Sequence, residues 1–189
     1  MFKLKIILAS TRPGRQGPAV AAWIHDICKE DPSFEVSLLD LAEINLPFLD
    51  EPSHPRLKKY VHDHTKKWSS TIEEADAFVI VTCEYNFGYP APLKNALDYL
   101  FVEWNYKPVG FVSYGGLAGG TRAVQQLKQV VTAQKMMPVT ESVNIPFFTK
   151  HINEQGKFIG DDHLSKSASE MLKELLKWTE ALWELRNKK

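Results

Sequence analysis

Cysteine is scarce in this chain of 189 residues: Cys28 and Cys83 are the only two, too few for a disulfide framework. No Asn-x-Ser/Thr sequon occurs. No run approaches the roughly 18 apolar residues that a membrane span needs. A surplus of charge is also missing, because Lys plus Arg and Asp plus Glu are 23 each. That balance argues against non-specific nucleic-acid binding and leaves only a local basic patch open. The opening MFKLKIILAS holds too short an apolar run for a signal peptide, and Arg12 and Arg15 follow at once. The expectation is a reduced, soluble, cytoplasmic protein with neither nucleic acid nor membrane as partner. Hydrophobic residues at 44% and charged residues at 24% suit a folded chain rather than a disordered one. The length suits one domain, 1–189, able to bury roughly 70% of its unfolded surface.

Five apolar, β-rich runs stand out: Lys3–Ala9, Phe34–Leu41, Ala77–Thr82, Val109–Tyr114 and Val139–Ile145. Helical spacing fills the gaps. Val20, Trp23, Ile24, Ile27 and Cys28 mark one helical face. Leu57, Tyr60, Val61, Trp68 and Ile72 read as a stripe on a second, long helix. Pro92–Leu100 predicts a third, with proline near its first turn, and Val124, Leu127 and Val131 mark a fourth. The last runs from about Leu164, with inward positions continuing through Thr179, Leu182 and Trp183. Strand and helix alternate five times, and Phe78–Val81 is continuously apolar, as strands covered on both faces are. The pattern predicts an α/β three-layer sandwich with a five-stranded parallel sheet in the flavodoxin-like order 2-1-3-4-5. Ala42–Pro55 and Pro146–His163 are the longest irregular pieces; the first reads as a surface excursion or partner contact.

Open α/β sheets bind ligands beyond the carboxyl ends of their strands, where strand order reverses. Three loops are thereby nominated, and all three are unusual. Ser10-Thr11-Arg12-Pro13-Gly14-Arg15-Gln16-Gly17 joins a strand to a helix start. Hydroxyls, guanidinium groups and free helix N–H groups suit a terminal phosphate; the plainer alternative is a capped turn with solvated arginines. It is neither a Walker A loop nor a dinucleotide fingerprint. Thr82 to Pro92 holds Tyr85, Phe87 and Tyr89 with two prolines and Gly88. It reads either as a stiff shelf offering backbone to the edge of a flat heterocycle or as a rigid packed turn. Ser113 to Arg122 carries Gly115, Gly116, Gly119 and Gly120, which permit close approach of backbone to a ligand or simply make a flexible turn. A planar ring on a ribityl-like tether ending in phosphate would touch all three loops, and flavin mononucleotide (FMN) matches that description.

The three loops together resemble the NADPH-dependent FMN reductase family of flavodoxin-like proteins, with its NAD(P)H:quinone reductase members. The resemblance rests on Ser10–Arg15 with Gly17, on Glu84–Pro90 through Lys94–Asp98, and on Ser113–Gly116 with Gly119, Gly120 and Arg122. It implies bound FMN, its phosphate on Ser10, Arg12, Arg15 and Gly17 with Thr11 beside them. The ring edge would lie against Glu84, Tyr85, Asn86 and Phe87, with Ser113, Tyr114, Gly115 and Gly116 at its pyrimidine end. Tyr89, Gly119, Gly120 and Arg122 would border the substrates, Arg122 as a candidate for a 2′-phosphate. The family commonly has proline where this chain has Cys83, which reads as a small buried residue.

The implied chemistry is hydride transfer from NADPH or NADH to FMN and on to a quinone or similar small acceptor, in ping-pong order. The flavin supplies the reactivity, so no catalytic side chain is assigned. A flavodoxin-type electron carrier is the alternative, which the absence of net acidity disfavours; a receiver domain lacks its acidic cluster after strand 1. His62 and His64 lie two apart, which does not place them on one helical face, and no metal site is expected. Phe101, Trp104 and Tyr106 follow the third helix near the expected site and read equally as core or as the interface of a homodimer or dimer of dimers.

Overall fold

A computed structural model describes residues 1–188. The five apolar runs become β1 (Phe2–Leu8), β2 (Phe34–Asp40), β3 (Ala77–Cys83), β4 (Pro108–Tyr114) and β5 (Met137–Ile145). All pairings are parallel, and the sheet order is β2-β1-β3-β4-β5, as expected. The helices are α1 (Gly17–Lys29), α2 (Leu41–Ile44), α3 (Asp63–Glu73), α4 (Ala91–Asp98), α5 (Thr121–Ala133) and α6 (Asp162–Asn187). Among the described residues, no helix is long and apolar enough to cross a membrane.

Strand alternation divides the core into two layers. Leu4, Ile6, Leu8, Val79 and Val81 face α1 and α6, meeting Val20, Ile24, Met171 and Leu175. Ile7, Phe78, Ile80 and Phe111 face the other way, onto Trp68 and Ile72 of α3, Leu93 and Leu97 of α4, and Leu127 and Val131 of α5. β3 and β4 are buried along their whole length, which is why their sequence shows no polar alternation. Gly110 lets α6 approach β4: a Cβ there would lie 2.9 Å from Met171 Sδ.

Three expectations are corrected. The second stripe does not lie on one helix: Pro55–Leu57 is a short 3-10 turn, Lys58 ends it in the left-handed region (φ 49°), and α3 begins only at Asp63. Leu57 and Val61 are consequently exposed. Trp183 is exposed as well: in the last turns of α6 it meets the Phe2 ring in a T-shaped contact at 6.4 Å, while Arg186 on the next turn ties the helix to Asp76. Finally, Trp104 and Tyr106 lie far from the ligand edge. α4 runs back against the strand direction, so the chain reaches Trp104–Tyr106 at the amino end of β4. Trp104 is core, buried between Trp68 and Phe78 with its indole N–H donated to the Leu97 carbonyl.

The excursion after α2 is tied to α4 rather than loose. The Asn95 side chain donates to the Pro47 carbonyl and accepts from the Leu49 amide, and the Tyr99 hydroxyl lies 3.0 Å from Asp50 Oδ1. His62 precedes α3, so helical spacing does not govern it. Its ring stacks on His64 at 5.2 Å, and His64 Nε2 lies 3.0 Å from Asp50.

Candidate functional site

The β1–α1 loop turns at Gly14, where φ is +70°, and enters α1 with Pro18 in the first turn. Gln16 stands at the N-cap without a side-chain bond to the helix. Pro18 has no N–H and the Ala19 amide bonds the Gln16 carbonyl, so the Gly17 amide is the first-turn donor left for an anion at the positive end of the helix. The two arginines part company here. Arg15 makes a two-pronged ion pair with Asp40 at the end of β2 (2.6 Å from Nη1 to Oδ1) and also donates to the Ser10 carbonyl. Asp40 holds the Arg15 guanidinium still more firmly protonated than usual. Arg12 is exposed and, among the described residues, pairs with no carboxylate. Thr11 is half-buried beside it. Gly17 packs onto the Tyr114 hydroxyl and the Leu8 side chain so closely that a Cβ would collide with both.

Tyr85-Asn86-Phe87-Gly88 forms a two-residue reverse turn. The Tyr85 amide donates to the Gly88 carbonyl and the Gly88 amide to the Tyr85 carbonyl, both at 2.9 Å. Asn86 (φ 50°) and Phe87 (φ 70°) are both left-handed, the type I′ geometry. The Tyr85 hydroxyl lies 3.0 Å from Ser10 Oγ, which joins this loop to the first. The Glu84 carboxylate turns toward α5, accepting from Arg122 Nε at 2.6 Å and from the backbone amides of Arg122 and Ala123. The Arg122 guanidinium lies 3.9 Å from the centroid of the Phe87 ring. Tyr89 is half-buried against the α3–α5 side of the core, and that burial raises its hydroxyl pKa.

The β4–α5 loop supplies a floor. Gly119 and Gly120 adopt positive φ (57° and 82°), and a Cβ on Gly120 would crowd the Tyr114 backbone. Ser113 is buried and donates to the Gly119 carbonyl, with Asn144 Oδ1 3.0 Å away. Gly116 faces open space. Asn86, Phe87, Gly115, Gly116 and Arg122 line a cavity of ≈ 310 Å³. Tyr114 does not enter it. The ring is buried beneath the loops, edge-on to Phe148, and burial, reinforced by the neighbouring Cys83, keeps its hydroxyl protonated. Cys83 is buried on the same side.

All three nominated loops thus meet along the carboxyl edge of the sheet. Two residues of this region were absent from the sequence reading: Asp40, which takes Arg15, and Asn144, which takes Ser113. The order β2-β1-β3-β4-β5 holds the signal for both, since each carboxyl-end polar residue sits next to the loop of the neighbouring strand.

Known proteins place this architecture. The NADPH-dependent FMN reductase family matches residues 2–150. The chain belongs to this family. An NAD(P)H-dependent FMN reductase of Schizosaccharomyces pombe is 40% identical over 176 residues, covering 84% of this chain and 88% of the relative. An NAD(P)H:quinone oxidoreductase of Solanum tuberosum is 30% identical over 172 residues, covering 87% and 84%. In fold, the flavoenzyme NAD(P)H:(acceptor) oxidoreductase of Paracoccus denitrificans superposes with a TM-score of 0.77 at 19% identity, covering 96% of this chain and 98% of that one. The reductase is accordingly an enzyme of an FMN-dependent NAD(P)H family, and the electron-carrier alternative is set aside. Its donor set fits FMN. The start of α1, with no side-chain cap, and the exposed Arg12, which among the described residues meets no carboxylate, suit a phosphate, with Ser10 buried behind them and bonded to Tyr85; the open Gly116 floor and the tight backbone turn at Tyr85–Gly88 suit a flat ring.

Proposed function

We propose that the reductase, acting as one FMN-binding domain over residues 1–189, passes electrons from NADPH or NADH to a quinone or similar small acceptor. The observation that carries this reading is the meeting of an uncapped helix start and a free arginine with a glycine floor along one sheet edge. FMN, when bound, would supply the redox chemistry, and a single face shared by coenzyme and acceptor suits a ping-pong order.

Ser10, Thr11, Arg12 and the amide of Gly17 hold the phosphate, and Arg15 shapes the loop through Asp40. Backbone of Glu84, Tyr85, Asn86 and Phe87 would edge the ring, and the amides of Asn86 and Phe87, which the turn itself does not use, would favour negative charge there. Gly115 and Gly116 would meet the pyrimidine end, with Ser113 and Tyr114 buried behind them as support. Tyr89, Gly119, Gly120 and Arg122 border the space left for coenzyme and acceptor. A relative from Staphylococcus saprophyticus named FMN-dependent NADPH-azoreductase, with the quinone oxidoreductase above, supports a small conjugated acceptor. Large exposed side chains, Phe87 and Leu117 at the cavity and Phe48 in the excursion after α2, support association into a homodimer or a dimer of dimers.

Steady-state turnover with NADPH and a quinone, without a partner protein, tests the mechanism. Parallel double-reciprocal lines are expected; intersecting lines overturn the ping-pong order. A monomeric mass at micromolar concentration would reject the dimer.

A further inference from the structure

The loop after β3 and the start of α5 share a contact that binding a flavin does not by itself require. α5 has Gly120 at its N-cap and no side-chain cap of its own. Glu84, from a different loop, fills that role: one carboxylate oxygen accepts from the amides of Arg122 (3.2 Å) and Ala123 (3.3 Å). The other oxygen takes the Arg122 guanidinium. The Glu84 side chain is 7% exposed, so this pair is shielded from solvent on the carboxylate side. The guanidinium in turn lies on Phe87 at 3.9 Å. Phe87 holds a φ of 70°, a region that a bulky L-residue enters only when its surroundings compel it.

We propose that Glu84 and Arg122 are positioning residues: together they hold the Tyr85–Gly88 turn in its left-handed form, so that its backbone meets the flavin ring at a fixed height. This rests on the FMN reading above. Tyr85 is pinned at the opposite side by Ser10, so the turn has two anchors, one toward the phosphate loop and one toward α5. The Arg122 charge is balanced by Glu84 and one face of the guanidinium is covered by Phe87. Its effect on turnover therefore passes through the turn and not through the coenzyme's 2′-phosphate.

The test uses Glu84→Gln, Arg122→Lys and Arg122→Ala. In the flavin-free protein, amide hydrogen exchange at Tyr85 and Gly88 is expected to quicken about threefold to tenfold in each variant, with global unfolding much less affected. Arg122→Lys, which keeps the charge and loses the flat stack, is expected to behave like Arg122→Ala. In the loaded protein, the visible flavin spectrum shifts and kcat falls in equal proportion with NADPH and NADH. Far-UV circular dichroism identifies any variant that fails to fold, and the two near-isosteric variants then carry the test. Unchanged exchange with a KM raised for NADPH alone would overturn the proposal and give Arg122 to the coenzyme. A wild-type protein that takes up no FMN would overturn the flavin reading and this proposal with it. Variants that match a yellow wild type in exchange and spectrum would overturn the proposal alone.

Discussion

At the scale of single residues, the two arginines of the first loop are chemically alike and physically unlike. Arg12 is free to meet a phosphate, so Arg12→Ala should weaken FMN binding by about 2 kcal/mol while leaving unfolding unchanged, read by flavin fluorescence titration and urea denaturation. Arg15→Ala should instead cost about 2–3 kcal/mol of stability. It strands the Asp40 carboxylate, 12% exposed, and Asp40→Asn in the same chain should recover part of the loss. Equal effects of both arginines on FMN affinity alone would contradict this division. Gly17 is a second residue-scale case. Gly17→Ala drives a Cβ into the Tyr114 hydroxyl and should cost about 1–3 kcal/mol, with Tyr114→Phe relieving some of it, as thermal unfolding of the double variant would report. The sequence makes the loop legible through its residue types, but not the partners. Asp40 lies 25 positions from Arg15, and only strand order brings the two together.

At the scale of elements, the strands are readable because β3 and β4 are buried along their whole length, and β1 from Leu4 on, which leaves long apolar stretches with few polar interruptions. The helices are readable where a stripe of 3.6-residue period faces the sheet. The period misleads at Leu57, Tyr60 and Val61 because the residue that ends the turn in the left-handed region, Lys58, is neither glycine nor asparagine and so does not announce the break. It misleads again at Trp183, because spacing alone does not say what a helix face meets. One consequence of element packing concerns Lys107, just before β4. Its ammonium is buried at the carboxyl end of α3, donating to the carbonyls of Ile72 (2.8 Å) and Glu73 (3.0 Å). Burial, and then the nearby Arg186, lower its pKa to about 7. The unfolded lysine titrates near 10.4, so between about pH 7 and 10.4 the unfolded chain binds more protons than the folded one. Lys107 should therefore make stability rise with pH across that window, by up to about 1.4 kcal/mol per unit, and contribute no slope below it. Urea unfolding between about pH 6 and about pH 9, with Lys107→Met flattening the rise by that amount, checks the sign. A wild-type slope that survives in the variant would show that other groups set it.

At the scale of the whole molecule, parallel strands put every carboxyl end on one edge, and the strand order puts the β1, β3 and β4 loops side by side there. That is why three unrelated-looking loops become one site, and why Trp104 and Tyr106, near it in sequence order, lie at the opposite edge. With a formal net charge of zero, no overall charge draws an anionic coenzyme in, so recognition rests on the local groups at this edge. The most direct measurement is an anaerobic titration of the FMN-reconstituted reductase with NADPH, followed in the visible spectrum and repeated with Arg12→Glu. The account predicts stoichiometric bleaching of a tightly held yellow chromophore in the wild type and loss of that chromophore in the variant. A wild type that stays yellow under NADPH, or a variant that holds the dye as tightly as before, would contradict it.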